Sequence, residues 1–92
     1  STYYFYKALK ESPNFQQVTA PLEGDICISP TGFTSHKSII KSGHMGIVMG
    51  NRKIAANDSF TGIFIDSRYT LESWRKHWVE TGGYKMEFFR II

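Results

Sequence analysis

Ninety-two residues make one domain (1–92), near the small end of what buries a self-sufficient core. Apolar residues are 41% and aromatics 15% of the chain, which excludes a disordered polymer, and no apolar run is long enough for a membrane-spanning helix. The net charge of +3 comes from scattered basic residues, with Arg52-Lys53 and Arg75-Lys76-His77 as the tightest groups, too little clustering for a nucleic-acid stripe.

The single cysteine, Cys27, excludes an internal disulfide, and no Cys/His spacing suggests a zinc site, so neither cofactor nor metal is expected. Residues 1–10 read as a helix. Tyr3, Tyr4, Phe5, Tyr6, Ala8 and Leu9 make it apolar on more than one side and therefore, by expectation, well buried. Ser12-Pro13-Asn14 ends it, because the residue before proline disfavours the helical region. Residues 15–21 read as a connector. Leu22-Glu23-Gly24-Asp25 then turns the chain into a strand over 26–29, with Asp25 as a turn-forming carboxylate. Pro30-Thr31-Gly32 closes that strand, and residues 31–42 form a long polar loop of the kind that rims functional sites.

Two apolar runs flank Gly50-Asn51, a pair suited to a two-residue hairpin turn. With those residues as the turn, Met49 faces Arg52 and His44 stands directly opposite Asn57. Directly opposed residues share a face with Cβ atoms about 4.5–5.5 Å apart, within reach of a hydrogen bond between imidazole and amide. A histidine oriented by a second polar group is the base half of a nucleophilic triad. Asp58 is the alternative orienting residue if the register slips by one.

After a turn at 58–62 comes a third extended run, 63–65. Thr70 is the expected N-cap of a second helix, with Leu71, Trp74 and Trp78 as its core stripe and Gly82 just past its end. Residues 84–92 read as a final strand, with Met86, Phe88 and Arg90 on one face. His36 and His77 are expected in solvent. Short connections favour an α+β layer arrangement, a mostly antiparallel sheet with the first helix packed across it.

Leu22-Glu23-Gly24-Asp25-Ile26, Gly43-His44-Met45-Gly46-Ile47-Val48 and Gly50-Asn51-Arg52-Lys53-Ile54 resemble the core of NlpC-type papain-like cysteine peptidases and the related CHAP amidases. The resemblance covers roughly residues 20–66. It implies a papain-like fold, His44 as general base and Asn57 as its orienting partner. It also implies a cysteine nucleophile at the start of the first helix, where the helix N-terminus favours a thiolate. The chain begins instead at Ser1-Thr2-Tyr3. Three readings stay open: the cysteine lies just before Ser1 in a longer protein, Ser1 stands in its place, or the protein is an inactive relative. Cys27, mid-strand between Ile26 and Ile28, reads as a small buried hydrophobe and not as the nucleophile.

The resemblance thus implies a hydrolase of amide bonds in bacterial peptidoglycan and, if the cysteine lies before Ser1, another chain or segment that supplies the N-terminal part. It would be a phage lysin, a tail-associated wall hydrolase or a secreted bacteriolytic toxin, acting in the virion or at the cell wall. The rivals are a non-catalytic wall-binding module of the same fold, and an amidase or acyltransferase acting on another amide.

Overall fold

In the computed structural model of the protein the described residues are 2–32, 42–57 and 64–92, the side chains of 64–68 excepted. Ser1, most of the polar loop with His36, and the turn at 58–62 with Asp58 therefore lie outside the described residues.

Helix α1 (Thr2–Glu11) stops where Pro13 requires it to, and its last turn closes through the Ser12 N–H donating to the Ala8 carbonyl at 2.9 Å. The expected connector after it is a strand, β1 (Phe15–Val18), with only its two end residues half-buried. It is held as an edge strand against β6 (Glu87–Ile91), Phe15 opposite Ile91 and Val18 opposite Phe88. This four-residue strand carries two glutamines in its middle, so its sequence lacks the apolar signal that would mark it.

Strands β2 (Ile26–Ser29), β3 (His44–Val48), β4 (Lys53–Asn57) and β5 (Phe64–Thr70) complete a six-stranded sheet in the order β1-β6-β2-β3-β4-β5. Every paired ladder is antiparallel. Helix α2 (Leu71–Trp74) starts at Thr70, whose hydroxyl accepts from the Ser73 N–H while the Ser73 hydroxyl accepts from the Thr70 N–H, a reciprocal cap. It widens at once into π-helical turns over Arg75–Thr81 before the chain enters β6. The molecule is a small α+β domain.

Two cores result, one on each face of the sheet. On one face Leu71, Trp74 and Trp78 pack over Cys27, Val48, Ile54, Ala56 and Phe88. On the other, Tyr6 and Leu9 of α1 pack over Ile28 and Phe89. The first helix is less buried than its composition suggests: Tyr4 is 74% exposed and Phe5 40%. A helix that touches a sheet on one side can bury only one stripe, and Tyr6 and Leu9, three apart, are that stripe.

The hairpin differs from expectation by one residue. Its loop is a tight three-residue turn, Gly50–Arg52, with Asn51 at φ 59° and Arg52 at φ 60°, and the Met49 N–H closes it on the Lys53 carbonyl at 2.7 Å. The observed pairs are Val48 with Ile54, Ile47 with Ala55 and Gly46 with Ala56. A two-residue turn would set Lys53 across from Val48, on the face that the tryptophans cover. The longer loop puts Ile54 there and leaves Lys53 exposed.

Candidate functional site

His44 opens β3 directly across from Ser29, the last residue of β2. Ser29 is fully buried, and its hydroxyl accepts a 2.9 Å bond from the Trp74 indole N–H, so both residues lie on the tryptophan face. There the imidazole meets three aromatic rings. Its centroid is 5.5 Å from Trp74 and 5.4 Å from Trp78, with interplanar angles of 22° and 21°, and Tyr69 meets it edge-on at 6.4 Å.

The two indoles are themselves 5.9 Å apart and tilted by 42°. A sandwich would hold them roughly twice as far apart as each stands from the imidazole, so His44 lies across both, its plane bisecting theirs. Stacking of this kind engages a ring face. The two nitrogens sit in the ring plane, where proton exchange takes place. Trp78 itself is buried, with its indole N–H lacking a hydrogen-bond partner among the described residues.

The entrance to β3 is tied to the start of α1. The Gly43 N–H donates to the Thr31 hydroxyl at 2.8 Å, that oxygen lies 2.8 Å from the Thr2 hydroxyl, and the Thr31 N–H donates to the same Thr2 oxygen at 3.0 Å. Thr31 thus bridges the first residue of α1 and the residue before His44. Gly43 has no room for a side chain: a Cβ there would collide with the Ser29 carbonyl oxygen and the Thr31 nitrogen. The sequence carried two signs of this joint, the Pro30-Thr31-Gly32 strand end and a glycine before the histidine, but nothing that named Thr2 as their partner.

The register separates His44 from Asn57. Paired residues share a face, so His44, Gly46, Val48, Ile54 and Ala56 face the tryptophans, while Met45 and Asn57 face the other way. Asn57 is exposed and pairs with Phe64 of β5. An orienting group for His44 taken from the strand after the turn would need even parity, which Asp58 has in the sequence. Cys27 is fully buried and burial pushes its thiol pKa well up, the opposite of what a nucleophile needs.

Asp25 is a buried structural carboxylate. Arg90 grips it with two bonds, Nε to Oδ1 at 2.8 Å and an Nη to Oδ2 at 2.7 Å, and the Leu22 N–H donates to Oδ2 at 2.7 Å. The guanidinium bond holds its pKa below the usual carboxylate range, against the opposing effect of burial. Arg90 is the partner that sequence reasoning missed, sixty-five positions away and visible only once β6 lies beside β2.

His77 is exposed, and its ring meets Trp78 edge-on at 4.9 Å. Among the described residues no group of three or more His, Cys, Asp or Glu is placed to hold a metal ion. No helix among them is long and apolar enough to cross a membrane. Comparison with protein-family models, with curated proteins and with solved structures returns no significant match.

Proposed function

We propose that the protein is an NlpC/CHAP-type, papain-like hydrolase of amide bonds in bacterial peptidoglycan, with its site at the meeting of the α1 start and the β3 entrance. The observation that carries this is the Thr2–Thr31–Gly43 joint, which holds the first turn of α1 beside the residue preceding His44. The resemblance places the nucleophile at that end of the helix, on Ser1 or on a cysteine before it. With the cysteine, the thiolate attacks the peptide carbonyl to form a thioester, His44 delivers a proton to the leaving amine as the C–N bond breaks, and water then hydrolyses the thioester. With Ser1, His44 first takes the hydroxyl proton and the intermediate is an ester. Backbone N–H groups at the helix start stabilise the oxyanion. The resemblance gives Asn57 as the residue that fixes the imidazole tautomer; the register turns Asn57 to the opposite face, and parity favours Asp58 for that role.

The test is release of soluble fragments from purified peptidoglycan by the parent protein and by His44→Ala, Asn57→Ala and Asp58→Ala. His44→Ala should lose nearly all activity, by about 10³-fold or more. Equal activity in His44→Ala and the parent would sink the assignment.

A second reading has its own observation. The imidazole lies on the tryptophan face, whereas α1 packs on the other, which favours a module that keeps the fold and binds wall polymer without cutting it. Sedimentation with peptidoglycan and no fragment release would select it.

A further inference from the structure

At the far end of the hairpin from His44 lies a cleft of about 300 Å³, between the Gly50–Arg52 turn, the second helix and β6. That volume is at the lower end of small-ligand sites, which run from about 300 to 1,000 Å³. Its floor is apolar, built from Leu71, Met86 and Phe88.

The charges around it are the informative part. Arg75 and Glu80 both line the cleft, and they are five residues apart. In an α-helix that spacing would turn them roughly 140° away from each other. Both lie in the π-helical stretch, whose bonds link residues five apart and so bring these positions to one side. Neither is paired with the other, and neither makes an ion pair or side-chain hydrogen bond with any other described residue. The remaining two charges, Arg52 and Glu72, neutralise each other at 2.9 Å on the rim.

The cleft therefore offers one cation, one anion and an apolar floor, with no excess of either sign. That balance disfavours a phosphate or other polyanion and matches a zwitterion with an apolar body. We propose that the cleft binds a short peptide with both termini free: its carboxylate on Arg75, its ammonium on Glu80 and an apolar side chain on the Leu71, Met86 and Phe88 floor. The π-helical turns would then be the device that assembles the site, which is where such turns often occur. The proposal stands apart from the wall-hydrolase reading and does not need it.

Alanyl-leucine titrated into the isotopically labelled chain tests it by amide chemical shifts. Saturable shifts should appear at Arg75, Glu80 and Phe88. The N-acetylated and the C-amidated peptides should each bind about tenfold more weakly, one charge-assisted hydrogen bond being worth at least that factor. Arg75→Gln should make binding indifferent to amidation while keeping the effect of acetylation, and Glu80→Gln should do the reverse. Both side chains are exposed, and the blocked peptides test the unaltered protein independently of any variant. Absent or non-saturable shifts would overturn the proposal, as would equal affinity for blocked and free peptides. So would inorganic phosphate producing the same shifts as tightly, which would mark a simple anion site.

Discussion

On one face of the sheet Leu71, Trp74 and Trp78 close over five strand residues, with Trp74 wholly buried and its indole N–H bonded to the buried Ser29 hydroxyl. On the other, α1 brings Tyr6 and Leu9 and leaves Tyr4 largely and Phe5 partly in solvent. The first face gains its tightness from two large rings whose spacing matches one helical stripe. The second is covered by a helix whose aromatics are too crowded in sequence to share one stripe. What decides the chemistry of each face is which polar residue the strands send to it. The tryptophan face receives His44 and the other receives Asn57.

Truncating each face measures the difference. Trp74→Ala removes the largest fully buried ring and strands the Ser29 hydroxyl, and is expected to cost about 4 kcal/mol. Leu9→Ala on the α1 face should cost about 2–3 kcal/mol, and Tyr4→Ser less than about 0.5 kcal/mol. Chemical denaturation checks all three. A Leu9 loss equal to that of Trp74 would erase the distinction between the faces.

Between those effects lies the clamp that joins the 20–25 turn to β6. Asp25→Ala should cost about 2–4 kcal/mol, between an exposed pair and a fully buried one, because Asp25 is 2% exposed and Arg90 31%. The pH dependence follows from the sign of the shift. Asp25 has a lowered native pKa, so the clamp's stabilisation is complete above the ordinary carboxylate range near 3.9 and is lost as pH falls through the lower native value. Stability followed from pH 6 downward should decline less steeply in Asp25→Asn than in the parent.

A smaller effect than the clamp's belongs to the start of α2. Thr70→Ala removes the reciprocal cap and should cost about 1 kcal/mol, read as a lowered thermal midpoint.

The helix of the tryptophan face was legible because Thr70, Leu71, Trp74 and Trp78 carry a cap and a period together. Cys27 was legible as core, set between two isoleucines, and Asp25 as a turn carboxylate. The π-helical turns were not, since nothing in Arg75-Lys76-His77 distinguishes them from an α-helix. Nor was β1, whose apolar ends alone are half-buried.

The hairpin is the most instructive miss. Gly50-Asn51 suits a two-residue turn, and local preference alone favours it. The longer turn asks Asn51 and Arg52 to take positive φ, a cost that the core offsets by placing Ile54 beneath the tryptophans. Register is a choice made by the whole sheet, and one residue of slip sends every side chain to the other face. The proposed site inherits that choice. His44 stands at its strand entrance, but the register no longer sets Asn57 across from it.

The measurement that bears most directly on this is the pattern of nuclear Overhauser contacts from the His44 ring protons. Contacts are expected to the Trp74 and Trp78 indoles and to Tyr69, with none to the Asn57 side-chain amide. Contacts to that amide, with the indoles silent, would contradict this arrangement and restore the two-residue turn.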